Sequence, residues 1–230
     1  MKRAPALFVV LMFGILFAGL ITAYSERQTL SPLAQYYLSQ VPQGLGAPNV
    51  VTGILITYRG FDTLGEVAVL FMVAASISSL LGSKSNAGPD AQSIGAGRRP
   101  SELVRNGAEV ILPLIFLFGA YVIMHGHLSA GGGFQGGAIV ASGVMLLILA
   151  APSTRIDQAF LSVTESLAGV LYVSAGILGL IFAGGFLDSH ILPLGEFGTL
   201  ISAGAIPLIS TLLGIKVGAE LSVVIDRFRN

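Results

Sequence analysis

Two short stretches hold most of the side chains in this sequence that could do chemistry. In "YRGFDTLGEVAVL", Asp62 and Glu66 are four residues apart, so on a helix they share a face, and Arg59 lies within reach of Asp62. Carboxylates so placed can hold or relay a cation, and they can equally cap a helix. Thr63-x-x-Glu66 reads as a capping box, and acids in a first turn suit the helix dipole. Capping accounts for Asp62. Glu66 begins to enter apolar sequence, where an ionisable group is costly and commonly works through a partner on another helix. In "HGHLSAGGGFQGGAIV", His125 and His127 surround the first of six glycines, and Gly131, Gly133 and Gly136 spell G-x-G-x-x-G. Such a segment could cradle a phosphate, hold a metal or bring two helices together. Glu109 and Glu165 open two further apolar segments. Arg105 stands one turn before Glu109, and Ser162-x-x-Glu165 forms a second capping box, so anchoring explains both acids.

The elements that position these residues follow from composition. Of 230 residues, 53% are hydrophobic and 10% charged, against roughly 25% charged in soluble domains. The charges cluster and leave six apolar intervals: Ala4–Tyr24, Leu64–Gly82, Val110–Met124, Gly137–Ala151, Ser166–Leu187 and Phe197–Ile215. A bilayer core takes about 20 residues of helix, and continuous intervals of this length suit helices rather than strands. The sequence therefore predicts an all-α membrane protein with about six transmembrane helices. The first interval exceeds the h-region of a cleaved signal peptide, so it is expected to be retained.

Orientation follows from basic residues. Lys2, Arg3, Lys84, Arg98, Arg99, Arg105, Arg155, Arg227 and Arg229 share one side, with Lys216 at the inner end of the last span; the other side keeps Arg27 and Arg59. Both termini are thus expected in the cytoplasm. Residues 1–82 form a two-helix part, 83–106 a polar cytoplasmic connector ("SKSNAGPDAQSIGAGRRPSELVR") and 107–230 a four-helix part. Val50–Tyr58 is apolar but too short to span, an interfacial or extended lead-in to the second span. Asp188, His190 and Glu196 read as solvated outer-loop residues. The net charge is zero, which implies no nucleic-acid partner, and the absence of cysteine excludes disulfides and cysteine-ligated clusters.

In this frame the glycine segment changes meaning. A dinucleotide fingerprint needs a strand before it and a P-loop needs Lys-Ser/Thr after it; here a membrane helix stands on either side. His125 and His127 lack nearby acids to complete a metal site. Gly132-x-x-x-Gly136 and Gly133-x-x-x-Gly137 instead fit the small-residue spacing that lets helix backbones approach in lipid.

"GHLSAGGGFQGG" (Gly126–Gly137) resembles the G-H-x-x-P-G-G-G-F-x-G-G signature of the MnhB-like (MrpB-like) component of Mrp-type sodium/proton antiporters. That module also occurs in membrane-bound hydrogenases and sulfane reductase complexes. "TESLAGVLYVSAGILGL" and "GAIPLISTLLGIKVGAE" fit its later helices. "YRGFDTLGEVAVLF" resembles the C-terminal segment of the MrpA-like component of the same antiporters, with its R-G-x-D-T-x-G-E motif. The chain thus resembles a fusion of the two. Ala130 replaces the signature proline, and Leu128 stands where antiporters commonly have asparagine, which leans towards the respiratory-complex branch. The resemblance implies a multi-pass, non-enzymatic transport subunit of a prokaryotic cell membrane. It would bind no cofactor and serve Na+ and/or H+ translocation, with other membrane subunits and peripheral iron–sulfur, hydrogenase-like subunits as partners. It makes Glu66 a candidate for the ion path, Asp62 its access partner, and Gly131, Gly132, Gly133 and Phe134, with Gly136 and Gly137, a loop shaping a subunit interface. Arg59, Glu109, Glu165, His125 and His127 remain secondary ionisable candidates. Membership of a stand-alone antiporter and a purely structural scaffold are the alternatives.

Overall fold

The structure, a computed structural model, describes residues 3–25, 29–82 and 100–229. Eight α-helices follow in order among them: α1 Arg3–Ala23, α2 Pro32–Gly44, α3 Val50–Gly53, α4 Gly60–Gly82, α5 Glu102–Met124, α6 Gly133–Ala150, α7 Gln158–Phe182 and α8 Ile206–Arg229. A π-helical turn, Ile54–Tyr58, joins α3 to α4, and a 3-10 turn, Ser189–Ile191, lies in the loop before α8. Six helices, α1 and α4 to α8, are long and apolar enough to cross a membrane. Residues 83–99, most of the expected connector, lie outside the described residues, as do Lys2 and Arg27.

The chain forms two compact units, Met1–Tyr36 and Tyr37–Asn230. In the first, α1 carries apolar side chains on every side. The second is organised around α8, which packs against α4, α5, α6 and α7. Of its membrane span 61% is buried within the chain, against 11% for α4. Tyr172, Leu187, Ile206, Ile209, Leu213 and Val217 make the centre of the core.

Local chemistry sets where each helix begins. The Asn49 side chain accepts from the Val51 and Thr52 amides, Ser101 caps α5 and Asp157 caps α7, each satisfying amides that have no partner in a first turn. Three expectations are corrected here. The cap of the α3–α4 segment is Asn49; Thr63 lies inside α4 and donates its hydroxyl to the Leu55 carbonyl at 2.7 Å. The π turn lets the helix run on past Arg59, so Thr63 has no free first-turn amide to cap. Asp157, not Ser162, caps α7, and Glu165 falls two turns inside. Likewise α5 starts at Glu102, and Glu109 sits two turns in.

The last span shifts furthest, from the expected Phe197–Ile215 to Ile206–Arg229. Residues 183–205 fold back on themselves instead. Gly195, Gly198 and Gly204 have positive φ; the Ala203 amide donates to Leu194 and the Ala205 amide to Ser189. At Gly204, φ is +58° and a side chain would collide with the Ser189 carbonyl, so only glycine lets the loop close on α8. Lys216 is therefore in the middle of a membrane helix, not at its inner end.

The glycine pairs pack as their spacing suggests. A methyl group on Gly136 would sit 2.8 Å from the Gly119 carbonyl oxygen of α5, and one on Gly137 2.8 Å from the Gly214 carbonyl oxygen of α8. Neither neighbour is a side chain that could swing away. Gly137→Leu should thus lower the melting temperature or the yield of purified protein, at a cost of about 1–3 kcal/mol or more from overpacking. Gly107→Ala, where an added methyl meets nothing within 4 Å, should leave both unchanged.

Candidate functional site

The π turn, α4 and the glycine segment meet around one cavity of about 200 Å³. Glu66 and Thr63 of α4, Thr52 of α3, Gly131 to Gln135, and Ser210 and Leu213 of α8 line it. The structure thereby brings together the two stretches that stood out in sequence. Glu66 is exposed on a helix long enough to span the bilayer, and it lies within electrostatic reach of the buried Tyr172 hydroxyl. The cavity wall offers oxygen atoms: the Glu66 carboxylate, the Thr63 and Ser210 hydroxyls and the Gln135 amide. The Ser210 hydroxyl is buried with no hydrogen-bond partner. Asp62 is not among the lining residues; it pairs with Arg59 on the exposed surface.

The end of α5 is tied to the start of the α3–α4 segment. Asn49 Nδ2 donates to the Gly126 and Ser129 carbonyls at 2.8 and 2.7 Å, and the Thr52 hydroxyl donates to Gly126 at 2.7 Å. The Asn49 amide donates to the His127 carbonyl. Gly132 has φ +146°, a conformation only glycine adopts readily, and its amide returns to the Val122 carbonyl. The two histidines do different things. The His125 ring stacks on Tyr121 with centroids 4.1 Å apart. His127 is fully buried, with Nε2 3.3 Å from the Thr199 carbonyl. Burial holds its imidazole below the ordinary histidine range, opposed by that carbonyl and assisted by His125. Among the described residues no group of three or more His, Asp or Glu could hold a metal.

A second polar group joins Glu165, one of the secondary candidates, to Lys216 and Glu220, which were not among the expected sites. Lys216 Nζ donates to Glu220 Oε2 at 2.8 Å and lies 3.4 Å from Glu165 Oε1. Glu220 is 0% and Lys216 6% exposed. Phe71 of α4 places its ring 5.8 Å from the same ammonium. Glu165 is thus the partner of a buried lysine, whereas Glu109 is exposed on α5. The signal lay in "GIKVGAEL", opposite charges at i,i+4 among small residues. Placing the last helix too early hid it.

Residues 103–223 match the family described as "Domain related to MnhB subunit of Na+/H+ antiporter", and residues 1–99 match the MbhE family of MBH subunits. The fold is similar to a chain of the membrane-bound sulfane sulfur reductase, an archaeal respiratory membrane complex, with TM-score 0.82 and 37% identity, covering 99% of this chain and 97% of that one. It is also similar to a chain of the Mrp complex from a Dietzia species, with TM-score 0.77 and 25% identity, covering 98% of this chain and 26% of that one. A probable K(+)/H(+) antiporter A/B protein of Rhizobium meliloti is 29% identical over 90% of this chain; the match spans 23% of that longer protein.

His127 supplies a pH test of the loop. Its folded-state pKa is lowered, so the folded chain takes up this proton less readily than the unfolded chain. The stability it lends is present above the ordinary range, about pH 6.5, and is lost as pH falls through and below it. The protection of residues 125–132 against hydrogen exchange, taken relative to the intrinsic rate at each pH, should fall as pH drops from about 7 to 5, and this pH dependence should flatten in His127→Gln.

Proposed function

Because this chain belongs to the family related to the MnhB subunit of Na+/H+ antiporters, we propose that it is a non-redox membrane subunit contributing a sodium path at Glu66. The observation that carries this reading is the cavity that Glu66 shares with Gly131 to Gln135 and Ser210. A carboxylate at membrane depth that faces out of its own chain is costly unless a neighbouring subunit or an aqueous path meets it. Oxygen ligands suit a hard alkali cation, and here they gather beside that carboxylate. The exposed Arg59–Asp62 pair at the start of α4 serves as the approach, its charges held where a cation would enter.

The partners in this reading are other membrane subunits, which cover the exposed faces of α4 and of the glycine segment. The complex is of the ferredoxin-linked, sulfane-reductase or hydrogenase type, supported by the higher identity and near-complete overlap with the sulfane reductase chain and by Leu128. Iron–sulfur subunits carry its electron transfer, and this chain supplies no cofactor. Both termini face the cytoplasm, which the basic residues support even with Lys216 removed from their number. The two-helix part and the four-helix part, the second beginning with α5 at Glu102 inside the expected connector 83–106, correspond to the two modules whose motifs the chain carries.

Glu66→Gln removes the charge and keeps the shape. In the assembled complex reconstituted in liposomes, sodium-dependent transport should be lost while subunit composition stays intact. Full transport with Glu66→Gln would leave only the structural-scaffold reading.

A further inference from the structure

The Glu165, Lys216 and Glu220 cluster has no place in the sodium path, and its charges do not balance. Two carboxylates share one ammonium, a net charge of −1, with Glu220 and Lys216 buried and Glu165 half-buried at the edge of a cavity. An uncompensated charge at this depth is strongly unfavourable. Of Glu220's two oxygens, Oε2 is taken by Lys216, and Oε1 is buried with no hydrogen-bond partner. A second orphan stands close by. Tyr172, 1% exposed, has a buried hydroxyl without a partner, and it lines a cavity of about 460 Å³ together with Glu165 and Lys216. Leu64, Val67, Ala68 and Phe71 of α4 form the facing wall.

We propose that Glu165, Lys216 and Glu220 form an intramembrane proton-binding site, loaded from the cavity between α4 and α7, with Glu220 as the final acceptor. The proposal rests on the chain's being a membrane subunit of a cation-translocating complex, and is independent of sodium passing at Glu66. A proton suits the site better than a metal cation because Glu220 is wholly enclosed, its free oxygen has no hydrogen-bond partner, and among the described residues no group of three or more acids or histidines gathers to hold a metal.

The transfer balances without any further reactant. A proton entering from the cavity protonates Glu165. Lys216 gives one of its three N–H protons to Glu220 Oε1 or Oε2 and takes the proton from Glu165 in return. Only O–H and N–H bonds are exchanged, and the cluster passes from −1 to neutral; the reverse sequence unloads it. The surrounding elements leave this charge change uncancelled. α6 carries no ionisable side chain, and Glu102, Arg105 and Glu109 of α5 are exposed. On α4 the acids are Asp62, paired with Arg59, and Glu66; on α7 Tyr172 joins Glu165; on α8 Asp226, bonded to Gln158 of α7, and the cation Arg227 lie further along, and the charges that act on Glu220 are Lys216 and Glu165 alone.

The test is infrared difference spectroscopy on the purified, assembled complex, comparing acidic with alkaline buffer in H2O and D2O. A protonated carboxylic C=O band should appear on acidification, shift in D2O, and be lost in Glu220→Gln, which still accepts the hydrogen bond from Lys216. The same band should persist in Glu66→Gln, so failure of the sodium path and failure of this site are separable. Lys216→Arg keeps the charge but cannot give up its proton readily. It should slow deuterium exchange into the band roughly a hundredfold, and it serves as the readout should Glu220→Gln not assemble. An undiminished band in assembled Glu220→Gln, or wild-type exchange in Lys216→Arg, overturns the proposal.

Discussion

The arrangement depends on how closely α6 approaches its neighbours. Lipid tails are as apolar as leucine, so helices in a bilayer gain little from hiding apolar side chains against one another. Contact must come from dispersion and from backbone-to-backbone approach. Gly119, Gly136, Gly137, Gly214 and Gly218 supply it, on two faces of one helix at once. One face of α6 holds α5 and the other holds α8. This double contact draws α8 into the middle of its unit, and the burial of everything on α8 follows.

That placement explains why two kinds of charged residue coexist in helices of similar hydropathy. Glu66 belongs to α4, the less enclosed helix, and faces out of the chain beside a cavity. Lys216 and Glu220 belong to the enclosed helix, where an unpaired charge is untenable, so they pair with each other and recruit Glu165 from α7. The first leaves its carboxylate exposed on the face of the chain. The second is hydrogen-bonded within the chain, apart from one carboxylate oxygen, but carries one negative charge more than its lysine balances.

The cap over one end of the bundle is held by a different interaction. Asn49 is helix cap and clamp together: one side-chain atom serves the α3 amides, and another serves the carbonyls of Gly126 and Ser129. The π turn that follows leads into α4. Such turns are frequently found at functional sites, and here Glu66 lies two turns beyond one. The loop at 183–205 completes the cap, with His190 bonded to Asp188 and to the Gly44 carbonyl. His190 and Glu196 are exposed there, as expected, and Asp188 is half-buried.

Much of this was legible in the chain alone. The number of membrane helices follows from uninterrupted apolar length, because a bilayer demands a certain run of residues and tolerates few charges within it. The close-packing role of Gly133, Gly136 and Gly137 follows from their spacing on a 3.6-residue helix. What sequence could not settle was which carboxylates are caps. Thr63-x-x-Glu66 and Ser162-x-x-Glu165 both satisfy a local pattern, yet Asn49 and Asp157 do the capping, since a cap belongs to whichever residue precedes the first free amide. Local spacing also could not join Glu165 to Lys216 across 51 positions, or Glu66 to Gly131. Those pairings are decided by which helices stand side by side, and that depends on backbone contacts between segments far apart in the chain.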